Sequence, residues 1–97
     1  MLSKTQKKYL AGICHHLKPV VWLGQKGLTD AVLAEIDQAL TAHELVKIKL
    51  AGADREERQA WAGEIAERLQ AEPVKLIGGM ASFFRRNPDR PQLELPD

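Results

Sequence analysis

Apolar residues recur along the chain at two different spacings, and these spacings predict alternating helices and strands. From Leu10 to Leu17 an apolar residue returns every three or four positions, so residues 4–17 are predicted to form an amphipathic helix. The run 20–23 is β-prone and typical of a short buried strand. Over residues 44–50 apolar side chains alternate with polar ones, which predicts a half-buried strand.

Small polar residues stand where three helices are predicted to begin. Ser3 is followed three positions later by a glutamine and Asp54 by a glutamate, which is the spacing of a capping box. Thr29 is a suitable N-cap for a second helix over residues 30–42. The third helix has an apolar stripe that begins at Trp61.

The last quarter of the chain predicts a hairpin followed by a tail. Residues 74–77 and 80–86 are β-prone and are separated by two glycines. Three prolines after position 87 leave residues 89–97 as an extended tail, with a short edge strand at 93–95. The order α-β-α-β-α-β-β over residues 1–88 predicts one compact α/β (two-layer α+β) domain. We expect a four-stranded mixed sheet with helices on at least one face.

Charge is distributed unevenly, although the formal net charge of the chain is only +1. Residues 1–27 contain five lysines and no acid, residues 28–72 contain ten acids and five bases, and residues 73–97 contain four bases and three acids. The three segments therefore carry +5, −5 and +1. This asymmetry favours a basic surface for a polyanion, and a mixed solvated surface is the alternative.

Length and composition narrow the class of protein. A chain of 97 residues is expected to form one domain without a large substrate cavity. It has one cysteine and no apolar run long enough to cross a bilayer, so we expect a cytoplasmic protein without a membrane partner. Cys14, His15 and His16 point about 100° apart in succession on a helix, which disfavours a shared metal site. No catalytic residue, metal or cofactor is predicted.

The segment between the first strand and the second helix combines two glycines with a lysine. Gly24 and Gly27 bracket Gln25 and Lys26, and glycine lets a ligand backbone approach closely where the chain turns sharply. The following helix, capped by Thr29, directs unpaired N–H groups and its positive dipole end at the same place, which favours phosphate. KH-type domains clamp an RNA backbone with a GxxG loop of this kind. A tight turn without a ligand is the alternative.

Several segments, taken in order, resemble the CRM domain, the chloroplast RNA splicing and ribosome maturation module, whose free-standing bacterial members form the YhbY family. The matching segments are 17–21, 23–29, 32–36, 43–49, 77–79 and Phe84-Arg85. The resemblance implies a KH-like α-β-α-β-α-β-β fold similar to the C-terminal domain of translation initiation factor three. It also implies association with RNA in precursors of the large ribosomal subunit.

Basic and aromatic residues outside the loop extend the predicted RNA contact. Lysines at alternating strand positions are expected on the open face of the sheet, where phosphate contacts give salt-dependent affinity. Of the neighbours Phe83 and Phe84, one is expected to face the core and the other the open side, where it either packs or stacks on a base. Trp22 and Trp61 are interpreted as core or core-edge residues. The predicted RNA contacts are Gly24, Gln25, Lys26, Gly27, Thr29, Lys18, Lys47, Lys49, Lys75, Phe84, Arg85 and Arg86.

Three functions remain open from the sequence. The favoured one is a monomeric, non-enzymatic RNA-binding protein that binds ribosomal RNA in large-subunit precursors, with no DNA partner. The second is a protein-interaction module that binds a ribosomal protein or assembly factor through acidic helices. The third is a small enzyme, for which the sequence offers no convergent catalytic groups.

Overall fold

Helices and strands alternate along the chain in the order that the hydrophobic spacing predicts. The computed structural model describes residues 2–24, 26–51 and 54–96. The elements are α1 (Lys4–Cys14), β1 (Val21–Leu23), α2 (Asp30–His43), β2 (Leu45–Leu50), α3 (Arg55–Leu69), β3 (Glu72–Ile77) and β4 (Met80–Phe84).

Each helix begins after the polar residue that the sequence predicts. The Ser3 hydroxyl accepts the backbone N–H of Gln6 over 3.1 Å, and the Gln6 side chain accepts the backbone N–H of Ser3 over 3.0 Å. Thr29 Oγ1 accepts the N–H of Val32 in α2, and Asp54 Oδ1 accepts the amide three residues on in α3. These contacts satisfy N–H groups that have no partner within the helix itself.

The first helix ends three residues earlier than predicted. α1 stops at Cys14, and the following turn is tightened because the N–H groups of His16 and Leu17 bond to carbonyls three positions back. The ring of Pro19 cannot continue a helix. Lys47 of β2 donates its ammonium to the carbonyls of Cys14 (3.1 Å) and Leu17 (3.3 Å), and so stabilises this end.

The four strands form one mixed sheet in the order β1-β2-β4-β3. β1 runs parallel to β2, with α2 as the crossover between them, and the other two pairs are antiparallel. Gly78 and Gly79 turn the chain between β3 and β4, and Gly78 is left-handed at φ 57°. The predicted four-stranded mixed sheet is confirmed.

The main core lies between the sheet and helices α2 and α3. Val21 and Leu23 of β1 face these helices together with Ile48 of β2. Ile36 of α2 and Ile65 of α3 are fully buried against them. Burying each such side chain contributes about 1.5–3 kcal/mol, so this layer is the main apolar contribution to folding.

A smaller core lies on the opposite face of the sheet, under α1. Leu10 and Cys14 pack there with Leu45 of β2 and Phe84 of β4. Phe83 belongs to the main core, so the two phenylalanines are buried on opposite faces, as neighbours in a strand must be. α1 covers only the end of this face that contains Leu45 and Phe84, and the other end is open.

The tail after β4 folds back onto Glu44, the residue that ends α2. The Glu44 side chain is fully buried (0% exposed), and its carboxylate accepts backbone N–H groups from Asn87 (2.7 Å), Gln92 (2.6 Å) and Leu93 (3.0 Å). Arg86 donates to both carboxylate oxygens at 3.2 Å. Burial alone would raise the pKa of Glu44, but these donors outweigh it and hold the pKa below its ordinary value.

Residues 93–95 form no strand, in contrast to the prediction. The N–H of Leu93 is bonded to Glu44, and the side chains of Leu93 and Leu95 pack against the core under α1. The carbonyl of Pro96 accepts the side-chain amide of Gln6 at 3.0 Å. Side-chain contacts, rather than pairing with another strand, therefore hold the tail against the domain.

We expect Glu44→Gln to destabilise the fold by about 3 kcal/mol at neutral pH, because it removes the charge from a buried ion pair. Since the folded pKa of Glu44 is lowered, its contribution is present above the ordinary pKa of 4.5 and is lost as the pH falls through the folded value. The difference in melting temperature from wild type should therefore shrink below pH 4.5.

The exposed tail residue Glu94 provides the matched control, because Glu94→Gln makes the same chemical change in solvent. Its melting temperature should follow the wild type throughout the titration. A difference between wild type and Glu44→Gln that stays constant down to about pH 3 would contradict a role for the Glu44 charge.

Candidate nucleic-acid interface

The loop between β1 and α2 is closed by its own backbone and leaves its lysine in solvent. The N–H of Gly27 donates to the carbonyl of Gly24 at 3.0 Å, so the two glycines are the ends of a tight turn. Gly27 has φ +70°, a left-handed conformation that glycine adopts without steric cost. Lys26 is exposed. Gln25, predicted as the other middle residue, lies outside the described residues.

Trp61 of α3 forms the floor of this loop. A Cβ atom added at Gly27 would lie 3.1 Å from Cζ2 of Trp61, which is a tighter contact than side chains ordinarily make. At Gly24 the described part of the chain places no heavy atom within 4 Å of that position, its chain neighbours aside. Trp61 packs partly buried against the main core, so its interpretation as a core-edge residue is confirmed. Packing and backbone conformation both require glycine at position 27.

The amino-terminal end of α2 follows the loop directly. Thr29 uses its hydroxyl oxygen to cap this helix, whose first N–H groups and positive dipole end attract anions. Asp30 in the first turn carries an almost fully exposed carboxylate (98% exposed) that lies 3.8 Å from Arg68. This carboxylate opposes an approaching phosphate, so an anion is best placed on the side of Gly24 and Lys26.

Three other lysines predicted as RNA contacts form no ion pair within the described part of the chain. Lys18 and Lys75 are exposed, and Lys49 is half-buried. Among the residues that the structure describes, no carboxylate forms an ion pair with these three or with Lys26. Lys47 differs, because its ammonium is bound to the end of α1. It points to the predicted face of the sheet, but its charge is engaged within the protein.

Phe84 is not accessible to a base. Its ring is buried in the core under α1, and the guanidinium of Arg86 lies over it with Cζ 5.3 Å from the ring centre. This burial contradicts the prediction of Phe84 as an RNA contact and confirms the alternative, that the ring packs. The sequence did not show that α1 would cover this end of the sheet.

Arg85 and Arg86 lie away from the loop, in contrast to the predicted grouping. Arg85 donates to the carboxylate of Asp37 at 2.7 Å and to the hydroxyl of Thr41 at 3.0 Å, near the end of α2. Thr41 is about 17 Å along α2 from its first residue, at 1.5 Å per residue. Arg86 is bound to the buried Glu44. Both arginines therefore hold the domain together at the end of α2 remote from the glycine turn.

Trp22 is exposed, so the prediction that it lies in or beside the core is wrong. Its neighbours Val21 and Leu23 face the main core, and the alternation of a strand directs Trp22 to the opposite face. α1 does not cover that position, and the side chain is 62% exposed. The ammonium of Lys49 lies 4.8 Å from the ring centre, a cation–π contact. The alternation within β1 was the signal that could have identified this residue.

Cys14 is buried in the core under α1. Burial raises the pKa of its thiol, and the Ser82 side chain and two nearby lysines offset this only in part. Across residues 2–24, 26–51 and 54–96, no three His, Cys, Asp or Glu side chains are grouped to hold a metal ion. Within the same ranges, no helix has both the length and the apolar character needed to cross a membrane.

The arrangement from α1 to β4 is shared with known proteins. A family model for the CRS1/YhbY (CRM) domain matches residues 2–85. The chain belongs to the CRM family. A Haemophilus influenzae relative named RNA-binding protein is 46% identical over 95 residues, which cover 98% of this chain and 95% of the relative. A Pseudomonas aeruginosa relative named probable RNA-binding protein is 46% identical over 87 residues, which cover 90% of this chain and 84% of the relative.

The CRM fold is also found in a solved structure similar to this one. The solution structure of a Staphylococcus aureus protein, proposed to bind RNA, has a TM-score of 0.86 at 28% sequence identity. The match covers 99% of this chain and 100% of the other. The family and the α+β fold predicted for the CRM domain are both confirmed.

In this CRM domain, Gly27→Ala should lower the free energy of unfolding by about 1–2 kcal/mol. A left-handed conformation is less favourable for alanine than for glycine by about that free energy, and the added methyl group would also press on Trp61. Gly24→Ala is the matched control, since it adds the same methyl group in open space and should change stability by less than about 0.5 kcal/mol. Urea unfolding of both variants measures the difference. Equal losses would contradict the special role of position 27.

Proposed function

We propose that this CRM protein binds RNA and that the turn Gly24–Gly27 clamps the RNA backbone. The observation that carries the proposal is the loop, which is supported from below by Trp61, open at Gly24 and bordered by Lys26 and the start of α2. Phosphate is the ligand that this combination favours, because a helix N-terminus and a mobile cation both attract an anion. Relatives named RNA-binding protein or probable RNA-binding protein, at 46% identity, support the proposal.

Lysines outside the loop extend the proposed contact. Lys18 immediately precedes the segment that leads into β1, and Lys49 and Lys75 lie on the open face of the sheet. Each phosphate neutralised by such a residue releases condensed counterions, so the affinity should fall steeply with salt. Backbone contacts of this kind fix the position of RNA and carry no sequence information.

The RNA is proposed to be ribosomal RNA in precursors of the large subunit, bound by a monomer in the cytoplasm. This assignment rests on the resemblance to the free-standing bacterial members of the CRM family. A glycine turn that meets the sugar-phosphate backbone suits structured or partly single-stranded RNA, where the backbone is accessible.

Lys26→Glu should weaken binding to large-subunit ribosomal RNA fragments by about tenfold at low salt, because the charge at the clamp is reversed. It should also reduce the slope of log affinity against log salt by about one. Arg90→Glu is the matched control, since Arg90 is exposed in the tail beside the far end of α2. Fluorescence anisotropy at several salt concentrations gives the affinities, and equal binding by both variants would refute the loop as the clamp.

Sedimentation of a cell lysate through a sucrose gradient tests the ribosomal target with the same proteins. Wild type and Arg90→Glu should travel with large-subunit precursors, whereas Lys26→Glu should stay at the top. Wild type that stays at the top but binds RNA in solution would refute the ribosomal target alone. If all three proteins travel with the particles at high salt, a protein contact through the acidic helices becomes the better account.

Asp30→Asn should raise the RNA affinity about two- to fivefold at low salt, because it removes an exposed anion beside the proposed clamp. The same change should weaken α2 by about 0.3–1 kcal/mol, since Asp30 interacts favourably with the helix dipole. Glu35→Gln provides the control, as Glu35 is exposed more than one turn further along the helix. Anisotropy titrations should show a gain only for Asp30→Asn, and no gain would contradict a phosphate at this helix end.

A further inference from the structure

The four strands contribute one residue each to a row across the open end of the sheet. Trp22 of β1 is the register partner of Lys49 of β2. Lys49 is in turn the partner of Met80 of β4, and Met80 is the partner of Ile77 of β3. We call these four residues the open row. Strands lie about 4.8 Å apart, so the open row is about 14 Å long.

The helices leave the open row uncovered. α1 packs on the end of this face that contains Leu45 and Phe84. The pair Lys47 and Ser82 lies between that end and the open row. Trp22 and Ile77, at the two ends of the row, are 62% and 61% exposed. These side chains expose apolar surface on one sheet face, on either side of Lys49, and exposed apolar surface of this kind is typical of binding sites.

The charge of this face selects the kind of partner. Lys49 lies within the open row, and Lys47 and Lys75 flank Ser82 in the adjacent row. The described strand residues in these two rows include no acid. A large aromatic ring beside lysines matches a ligand that is itself aromatic and negatively charged, and a nucleotide has both properties.

The open row is continuous with the glycine turn and with a cavity. Trp22 precedes Gly24 by two residues, so about 7 Å of chain separates the ring from the clamp. On the β3–β4 side, a cavity of about 290 Å³ adjoins the row and is lined in part by His15, Lys75 and Ser82. An RNA strand that leaves the clamp along the sheet therefore meets an aromatic ring first and this cavity next.

We propose that the open row is a second RNA-binding surface, on which an unpaired base of a single strand replaces the Lys49 ammonium on the Trp22 ring, and Lys49 then contacts a phosphate of that strand. The proposal rests on RNA binding at the glycine turn and adds a preference for single-stranded over fully paired RNA. Base stacking on an aromatic ring is tolerant of sequence, because every base has a π-face. The surface therefore supplies affinity for unpaired nucleotides rather than recognition of a motif.

Trp22→Ala should weaken binding to a single-stranded oligouridine of about ten nucleotides by about tenfold, within the range for loss of one aromatic stacking partner. Binding to a duplex of the same length should change less than twofold. Trp22→Phe should restore most of the single-strand affinity, because phenylalanine retains an aromatic face. Tyr9→Ala is the matched control, since Tyr9 is an exposed aromatic residue on α1 and should bind both RNAs as wild type does.

Tryptophan fluorescence gives an independent readout from the same proteins. Trp22 and Trp61 are the two tryptophans of the chain, so the Trp22→Phe variant reports Trp61 alone. Oligouridine should quench the wild type strongly and Trp22→Phe only weakly, because Trp61 lies beneath the glycine turn and not on the open row. Equal quenching of both proteins would overturn the stacking of a base on Trp22.

The outcomes separate this inference from the proposed function. If wild type binds neither RNA, both fail. If Lys26→Glu weakens binding and Trp22→Ala does not, the glycine clamp stands and the open row is refuted. Equal weakening of single strand and duplex by Trp22→Ala would also refute base stacking. If wild type forms a dimer that Trp22→Ala abolishes, the row is a contact between two copies of the chain, and the inference is overturned.

Discussion

The buried carboxylate of Glu44 fixes the point where α2 ends, β2 begins and the tail returns to the domain. Glu44 has a positive φ of 62°, and such a sparsely populated backbone conformation costs on the order of 1–3 kcal/mol for a residue other than glycine. That turn is compatible with folding because the side chain then meets three backbone N–H groups and Arg86. An unpaired buried charge would be strongly destabilising, so the backbone turn, the charge and the path of the tail depend on one another.

This network divides the domain into a structural end and an open end. Arg85 and Arg86 lie at the structural end, where the Arg85 N–H also donates to the Glu44 carbonyl at 2.9 Å. The tail and α1 cover the same end of the sheet. At the opposite end, Gly24 and Lys26 of the glycine turn, Asp30 at the start of α2 and Trp22 are exposed to solvent. Within the described residues, Lys18, Lys26, Lys49 and Lys75 near the proposed RNA surface form no ion pair, whereas Arg85 and Arg86 near Glu44 are both paired with carboxylates.

Local sequence predicts the elements of this fold well, because helix caps and hydrophobic periodicity act over three or four residues. Ser3, Thr29 and Asp54 all form the predicted caps, and the glycine turn lies where its spacing placed it. Predictions were less accurate where a residue's surroundings depend on segments far away in the sequence. The burial of Phe84 is decided by α1, more than sixty residues earlier in the chain, and Lys47 is engaged by the end of the same helix. The exposure of Trp22 follows from strand alternation, but only once the short reach of α1 is known.

The contact between Gly27 and Trp61 determines when the loop acquires its shape. The turn is short, but its floor is a side chain from α3, more than thirty residues later in the chain. A peptide that contains only the turn would lack this floor, so the conformation that the turn has in the domain would be one among many. In the folded domain, the entropy of ordering the turn has already been lost during folding. The proposed RNA ligand would therefore encounter a preorganised surface and would retain more of its contact energy as affinity.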